Sequence, residues 1–191
     1  MLELELKRGD VVRLEGMLSL QVKEGKVLIS GGLHERGNKL VVPRAKSLPL
    51  EAETDAIIEY TLGESGNVER LAERTISREW GELIAEILRD KPRLIMVIGD
   101  VDVGKTFFTT YVANTLLKHG IRTAALDSDV GQSDIGPPST MGIGIFERPV
   151  GLLQEVPTRA AYFVGSMSPS SHTLEFTVGM KKLTELGMKE A

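Results

Sequence analysis

The order of apolar and polar positions changes character near residue 75. Up to about residue 61, short stretches alternate apolar and polar residues, and turn signals interrupt them at a spacing of roughly eight to ten residues. This period-2 pattern is typical of a small antiparallel sandwich or barrel. It predicts an all-β N-terminal domain over residues 1–70, with a linker that begins at Gly63 and runs to about residue 75. The clearest stretches are Leu2–Leu6, Val11–Leu14, Ser19–Val22, Lys26–Ser30 and Lys39–Pro43.

Beyond this point the chain alternates helical and strand-like segments. Apolar residues at helical spacing indicate a helix before Lys91–Pro92. A second helix is predicted over 105–118, where Gly120 stops it, and a third over about 173–186. Continuous apolar runs predict strands buried on both faces. Strand–helix alternation is typical of an α/β domain with a parallel sheet, here over residues 71–191 and incomplete at its C-terminal end. The helical positions are Trp80, Leu83, Ile84, Ile87 and Leu88, and the predicted strands are Leu94–Ile98, Thr123–Leu126 and Ala161–Val164.

Charge and composition exclude several classes of function. The 191 residues contain 23 basic and 27 acidic side chains. A surface that binds many nucleic-acid phosphates would require an excess of basic side chains, which this chain lacks. No apolar run reaches the roughly 18 residues of a membrane span. The lack of cysteine excludes disulfides, thiolate catalysis and cysteine-based zinc sites, and it fits a reducing cytoplasm. We expect a cytoplasmic protein that makes no membrane contact and touches nucleic acid only locally.

A phosphate-binding motif follows the first of these apolar runs. Residues 99–106 read GDVDVGKT and match the pattern G-x-x-x-x-G-K-[ST] between a predicted strand and a predicted helix. Glycines allow backbone N–H groups to point at phosphate oxygens, and the helix N-terminus adds its positive dipole end. The motif predicts binding of ATP or another nucleoside triphosphate with Mg²⁺. The predicted nucleotide-binding residues are Gly99, Asp100, Val101, Asp102, Val103, Gly104, Lys105, Thr106 and Phe107.

Two acidic residues stand at the end of the next predicted strand. Asp127 and Asp129 occupy the carboxyl end of Thr123–Leu126, where ligands collect in parallel α/β sheets. Carboxylates beside a phosphate loop can hold Mg²⁺ through water or accept a proton from an attacking hydroxyl. The alternative interpretation is an aspartate-rich turn with a purely structural role.

Three sequence blocks together resemble the polynucleotide 5′-hydroxyl kinases, a family that includes archaeal RNA kinases and eukaryotic cleavage-factor and pre-rRNA-processing kinases. The first block is the phosphate loop. The second is Asp127-x-Asp129-x-Gly131-Gln132, and the third runs from Phe163 through Gly165-Ser-Met-Ser168 to His172. The blocks occur in the family's order and follow an all-β region, as they do in that family.

The resemblance implies a P-loop domain flanked by a small β domain and a C-terminal domain. It implies transfer of the ATP γ-phosphate to the 5′-hydroxyl of RNA, in some members DNA, and partners in RNA-processing complexes. By the same resemblance, Lys105 stabilises the transferring phosphate, Thr106 and Asp127 hold Mg²⁺, and Asp129 acts as general base with Asp127 beside it. The implied substrate contacts are Gln132, Gly165, Ser166 and Ser168.

The chain also departs from the family pattern. Family members are roughly twice as long and carry, downstream of the final helix, a tryptophan-bearing clamp and an arginine-bearing lid, whereas the single tryptophan here is Trp80 and no arginine follows Arg159. We therefore expect the chain to correspond to the N-terminal half of such a kinase and to be weakly active alone. Two alternatives stay open: a nucleotide-binding assembly module without transfer, and a P-loop GTPase, although no Asn-Lys-x-Asp element is present.

Overall fold

The computed structural model describes residues 1–191, which form two compact units, Met1–Glu86 and Ile87–Ala191. The first unit contains two antiparallel sheets. One has the strand order β1-β8-β3-β6 and the other β5-β4-β7-β2-β9. The strands are β1 (Leu2–Leu6), β2 (Val11–Glu15), β3 (Leu18–Glu24), β4 (Lys26–Ile29), β5 (Gly32–Glu35), β6 (Lys39–Val42), β7 (Ser47–Ala52), β8 (Ala56–Leu62) and β9 (Asn67–Leu71).

Alternation of side chains explains the strands of the first unit. In β3, Leu18, Leu20 and Val22 are buried, while the residues between them are more accessible, so one face of the strand supplies the core. The predicted linker is wrong over part of its length, because residues 67–71 form β9 and pair with β2. No side chain of β9 is fully buried, so its formation depends on this pairing, which the local pattern does not show.

The second unit is built around a three-stranded sheet covered by helices. Helix α1 (Arg78–Asp90) leads from the first unit into it, and the strands β10, β11 and β12 lie side by side in that order. Both pairings are antiparallel. The remaining elements are α2 (Lys105–Lys118), β10 (Ala124–Asp127), β11 (Thr140–Ile145), β12 (Thr158–Phe163), α3 (Thr173–Glu190) and two single 3₁₀ turns at Leu153–Glu155 and Pro169–Ser171.

The predicted parallel sheet is therefore wrong for the strands that form. Strand β11 lies between the two predicted strands and runs antiparallel to both. Its sequence, TMGIGI, contains two glycines that hide the strand pattern, although all six residues are buried. The glycine at residue 142 is required by space, because a Cβ there would lie 1.6 Å from the carbonyl oxygen of Ile135.

The predicted buried strand Leu94–Ile98 is also wrong. These residues belong to no sheet, and the side chains of Leu94, Met96 and Ile98 are 60, 73 and 82% exposed. The apolar run has the composition of an interior strand, but no neighbouring strand in residues 1–191 pairs with it.

The helices lie close to their predicted positions. Helix α2 has the predicted bounds, and the Gly120 N–H donates to the carbonyl of Leu117 while the Ile121 N–H donates to that of Leu116, which is the Schellman pattern. Helix α3 packs on the sheet through Gly179 and Gly187, since a Cβ at either position would collide with side chains of the strands. No helix combines the length and apolarity that crossing a membrane requires.

Candidate functional site

The phosphate loop connects the exposed run Leu94–Ile98 to helix α2. Two of its residues adopt left-handed backbone conformations, Asp102 with φ 59° and Gly104 with φ 88°. Glycine accepts this region freely, and aspartate tolerates it better than most residues do. Gly104 caps a 14-residue helix with no side-chain hydrogen bond at its start, so the first N–H groups of α2 remain available to an anion.

Two side chains at the start of α2 carry the predicted chemistry of this loop. The Nζ of Lys105 donates to the carbonyl oxygen of Asp100 at 2.6 Å, so the ammonium lies over the loop. Thr106 is half-buried, and its carbonyl oxygen accepts from the Thr110 hydroxyl at 2.8 Å. Phe107 is half-buried in the first turn of α2, whereas residues 99–104 are exposed.

Asp127 organises the loop that follows β10, the acid loop, residues 127–135. Its Oδ1 accepts the Asp129 N–H at 3.0 Å. Its Oδ2 accepts the N–H groups of Asp134 at 2.5 Å and Ile135 at 3.3 Å, and the Ser133 hydroxyl at 3.4 Å. Burial raises the pKa of the Asp127 carboxyl above its ordinary value, and the backbone donors oppose this rise. The contacts of Asp127 are those of a residue that holds a loop in place.

Asp129 is the outer member of the acidic pair. Its Oδ1 accepts the N–H groups of Gly131 and Gln132, both at 3.0 Å, and so closes an Asx turn. No hydrogen bond is made to its Oδ2, and the side chain is exposed. Gln132 is exposed as well. The structure thus gives the two aspartates different surroundings, one enclosed by donors and one with a carboxylate oxygen facing solvent.

The acid loop lies beside the third sequence block. A Cβ on Gly131 would stand 3.1 Å from the carbonyl oxygen of Met167, so the two chain segments pass within contact distance. Ser139 links them further, because its N–H donates to the Val130 carbonyl and its own carbonyl accepts from the Val164 N–H. The second and third blocks, which are separate in sequence, therefore form one surface.

Several serines of the third block bond among themselves. The Ser168 hydroxyl lies 2.8 Å from that of Ser170, and the Ser168 N–H donates to the Ser166 hydroxyl at 3.1 Å. Gly165 has φ 85°, and a Cβ added there would lie 3.9 Å from the Nε2 of His172. The residues predicted as substrate contacts here lie on a tightly turned, mostly exposed segment.

The phosphate loop is connected to this surface only indirectly. No hydrogen bond or ion pair joins Asp127 or Asp129 to residues 99–106. Instead, Ala113 of α2 shares a buried cluster with Ala125 of β10 and Ile135 of the acid loop. The core of the second unit therefore carries both loops, while the predicted roles of their side chains stay predictions.

Two residues that position these loops escaped the sequence analysis. Gly142 lets the acid loop lie across β11, as described above. Asn114, buried on α2, donates from Nδ2 to the Val150 carbonyl at 2.7 Å and accepts the Val150 N–H at 3.1 Å. The sequence contained one sign of this role, an asparagine among the apolar residues of a helix, because a buried amide requires hydrogen-bond partners.

Comparison with known proteins finds relatives of this region. The family described as "mRNA cleavage and polyadenylation factor CLP1 P-loop" matches residues 99–190. A polyribonucleotide 5′-hydroxyl-kinase of Pyrococcus abyssi is 43% identical over 99 residues, which are 52% of this chain and 28% of that protein. One from Methanocaldococcus jannaschii is 40% identical over 101 residues, 53% of this chain and 28% of that protein. A CLP1 homolog of Nematostella vectensis is 30% identical over 121 residues, which are 62% of this chain and 26% of that protein.

A solved structure shares the fold. The complex of wild-type Clp1p with Pcf11p contains a chain that aligns with a TM-score of 0.56 and 15% identity, covering 75% of this chain and 36% of that one. At this identity the likeness concerns the fold alone. The matches span about a quarter to a third of the length of these proteins. Residues 99–190, about half of the chain, match the CLP1 P-loop family, as the resemblance in the three sequence blocks indicated.

Proposed function

We propose that the chain binds ATP and Mg²⁺ on its phosphate loop and takes part in ATP-dependent phosphoryl transfer to the 5′-hydroxyl ends of RNA. The observation that carries this proposal is the loop itself, with left-handed residues at 102 and 104, a helix N-terminus that has no side-chain cap, and Lys105 over the loop. Support for RNA as substrate comes from the names of the archaeal relatives. DNA as a further acceptor is an expectation from the family resemblance alone.

The triphosphate fits this loop for electrostatic reasons. Exposed N–H groups at the start of α2 and the Lys105 ammonium would neutralise the β- and γ-phosphate oxygens. To do so, Lys105 must exchange its bond to the Asp100 carbonyl for a phosphate oxygen, which costs little because both are exposed acceptors. A bound phosphate would therefore replace an internal hydrogen bond with a charge-assisted one.

In the transfer step, the oxygen of the RNA 5′-hydroxyl forms a bond to the γ-phosphorus. The bond between that phosphorus and the β–γ bridging oxygen breaks, and ADP leaves. The hydroxyl proton passes to a carboxylate, and we assign this role to Asp129, whose Oδ2 carries no hydrogen bond. Asp127 enters the proposal as a positioning residue, because four donors surround its oxygens.

Mg²⁺ would be held by the Thr106 hydroxyl and by phosphate oxygens. No group of three or more histidine, aspartate or glutamate side chains in residues 1–191 forms a metal site on its own, which suits an ion that arrives with the nucleotide. The ion would supply positive charge at the bridging oxygens during transfer. Asp127 offers one carboxylate oxygen, Oδ1, with a single hydrogen bond as a further contact through water.

The setting of this activity is also a proposal. Clp1p, which shares the fold, forms a complex with Pcf11p, and this supports a partner from RNA processing. The cysteine-free composition supports a cytoplasmic location. The matched kinases extend well beyond the matched region, which is 28% of the Pyrococcus abyssi protein.

The test measures binding and transfer on the same samples. Calorimetry with Mg·ATP and Mg·GTP is followed by transfer of radiolabelled γ-phosphate to a 5′-hydroxyl oligoribonucleotide, using the wild type and Lys105→Ala. We expect Lys105→Ala to weaken ATP binding at least about tenfold and to lower transfer by roughly 10²–10³-fold. Lys118→Ala, at the far end of the same helix, is the matched control and is expected to behave as the wild type.

The outcomes separate the alternatives. Binding without transfer to the 5′-hydroxyl oligoribonucleotide would support the assembly module. Preference for GTP would support the GTPase. An oligonucleotide that already bears a 5′-phosphate should accept nothing, and labelling of it would contradict the assigned acceptor.

A further inference from the structure

One aromatic ring of the second unit is turned toward solvent. Phe163, the last residue of β12, is 72% exposed, whereas the other eight aromatic side chains of residues 1–191 are buried or half-buried. A large apolar ring in this position gains nothing from the core. Its location is therefore informative, because exposed aromatic rings at a nucleic-acid site serve as stacking surfaces for bases.

The register of the sheet places Phe163 on the same face as the acid loop. Phe163 pairs with Thr140, and two positions earlier Ala161 pairs with Gly142, which is also the partner of Asp127 on β10. Paired residues, and residues two positions apart on a strand, point to the same face of a sheet. Phe163 and Asp127 therefore lie on one face, which is the face that the acid loop covers at Gly142.

Phe163 forms one wall of a small aromatic notch, which consists of Phe163, Gly165 and His172. A Cβ added at Gly165 would lie 3.6 Å from the Cε1 atom of the Phe163 ring and 3.9 Å from the His172 Nε2. A single methyl-sized group there would thus touch both walls, and glycine leaves that space open. The His172 Nδ1 lies 3.0 Å from the Ser171 hydroxyl oxygen, while no hydrogen bond within residues 1–191 is made to Nε2.

Backbone hydrogen bonds through Ser139 tie the aromatic notch to the acid loop. The Ser139 N–H donates to the Val130 carbonyl at 3.0 Å, and the Ser139 carbonyl accepts the N–H groups of Val164 at 2.9 Å and Gly165 at 3.3 Å. Val130 directly follows Asp129, to which the proposed function assigns the role of general base. A molecule bound in the notch therefore lies beside that carboxylate, and the backbone fixes the spacing.

The charges around the aromatic notch do not favour binding of RNA by electrostatic attraction alone. Residues 127–172 contain five acidic side chains and two arginines, and one of these, Arg159, forms an ion pair with Glu190. RNA that reaches this surface therefore requires an uncharged contact as well. Stacking of a base on an aromatic ring supplies such a contact, and every base has a π-face that can stack.

We propose that the aromatic notch binds the base of the RNA nucleotide that bears the 5′-hydroxyl. The base stacks on the Phe163 ring, the His172 Nε2 makes a hydrogen bond to the same nucleoside, and the 5′-hydroxyl faces Asp129. Phe163 is then a substrate-contact residue that detects the presence of a first base without reading its identity. This inference rests on the proposed function, which supplies RNA as the acceptor.

The first measurement detects the stacked base without requiring phosphate transfer. Fluorescence anisotropy compares two 5′-hydroxyl oligoribonucleotides, labelled at the 3′ end, one of which has an abasic first nucleotide. We expect the 191-residue chain to bind the complete oligoribonucleotide about tenfold more tightly than the abasic one. Phe163→Ala should remove this difference by weakening only the binding of the complete oligoribonucleotide, whereas Phe163→Trp should preserve it.

The second measurement is steady-state transfer from Mg·ATP to the complete oligoribonucleotide. Phe163→Ala should raise the KM for the RNA about tenfold and leave the KM for ATP unchanged. The matched control is Met188→Ala, which also shortens an exposed apolar side chain but lies about 24 Å along α3 from His172. Its KM values should equal those of the wild type. Because the Phe163 side chain is mostly exposed, Phe163→Ala should also unfold in urea as the wild type does.

The outcomes separate this inference from the proposed function. Equal binding of the two oligoribonucleotides by the wild type, binding of neither, or an equal loss for both in Phe163→Ala would overturn the inference. An increase in the KM for ATP would overturn it too, by assigning the ring to the adenine. Base-dependent binding without any transfer would support the inference and contradict the proposed transfer. Transfer that Phe163→Ala leaves unchanged would overturn the inference alone.

Discussion

The apolar segments Leu94–Ile98 and Ala124–Asp127 each lead into a loop that carries candidate site residues, but only the second lies in a sheet. Strand β10 pairs with β11, and its residue Ala125 is 4% exposed. The first segment pairs with nothing in residues 1–191, and Ile98 is 82% exposed. The more apolar of the two segments, LIMVI, is the exposed one, so the difference lies in the neighbours that the rest of the chain provides.

The loops after these segments differ in the same way. The acid loop is held by the carboxylate of Asp127 and by the packing of Ile135 in the core. The phosphate loop is shaped by its own backbone at residues 102 and 104. One side-chain hydrogen bond crosses it, from the Lys105 Nζ to the Asp100 carbonyl. We conclude that tertiary contacts stabilise the acid loop, whereas local conformational preferences shape the phosphate loop. The predictions below test this difference.

The largest effect on stability is expected from Gly142→Ala. A Cβ there meets the Ile135 carbonyl oxygen at 1.6 Å, so the acid loop must move away from β11, at a cost of about 3 kcal/mol or more in the free energy of unfolding. Gly99→Ala is the matched variant in the phosphate loop. Its Cβ would meet only flexible side chains, that of exposed Val103 at 3.1 Å and that of Lys105 at 3.8 Å, and we expect a loss below about 0.5 kcal/mol. Urea denaturation followed by circular dichroism measures both, and equal losses would contradict the comparison.

Asp127→Ala should have the next largest effect. The substitution leaves the N–H groups of Asp129, Asp134 and Ile135 without their acceptor, and we expect a loss of about 2–3 kcal/mol. The amides of residues 134 and 135 should exchange faster than in the wild type, which locates the loss in the acid loop. Asp100→Ala in the phosphate loop serves as the control and should unfold like the wild type. Unchanged exchange at 134 and 135 would refute the positioning role of Asp127.

Asp129→Asn should separate chemistry from stability. The asparagine retains an oxygen that accepts the N–H groups of Gly131 and Gln132, so unfolding should change by less than about 0.5 kcal/mol. If Asp129 is the general base, phosphate transfer to the 5′-hydroxyl falls roughly 10²-fold or more. The two assays are run on one preparation. A fully active variant would remove Asp129 from the proposed mechanism without affecting the nucleotide-binding proposal.

The smallest effect is a pH dependence from Asp127. Burial raises the pKa of this carboxyl in the folded chain above the ordinary 3.8, so the folded state binds more protons than the unfolded state does near that pH. The contribution of Asp127 to stability is therefore fully present below the ordinary pKa and is lost as the pH rises through the folded pKa. Urea denaturation of wild type and Asp127→Asn across this window should show the wild type losing stability relative to the variant. If the stability difference between wild type and variant did not change with pH, or changed in the opposite direction, the raised pKa of Asp127 would be contradicted.

Features that depend on neighbouring residues in sequence were predictable. Helix α2 has the predicted bounds, and the predicted stop at Gly120 adopts φ 75° after the last turn. The phosphate loop follows from the GDVDVGKT motif, because glycine and aspartate provide the left-handed residues. The resemblance to the kinase family rested on three short blocks, and the family match over residues 99–190 confirmed it.

Features that depend on distant partners were not predictable. Strand β11 was missed because its glycines obscure the pattern, and its burial comes from neighbours on both sides. The different surroundings of Asp127 and Asp129 are invisible in sequence, since both stand in the same short motif. Only the fold of residues 133–135 back onto Asp127 distinguishes them.

The sequence by itself determined the β alternation of the first unit, helix α2, the phosphate loop and the family of residues 99–190, since each depends on residues a few positions apart. Only the tertiary structure decided that the sheet of the second unit is antiparallel, that Asp127 holds a loop, and that Leu94–Ile98 is exposed. The physical reason is that an apolar run records a tendency to be buried, whereas burial itself requires a neighbouring strand. For Leu94–Ile98 that strand does not lie within residues 1–191.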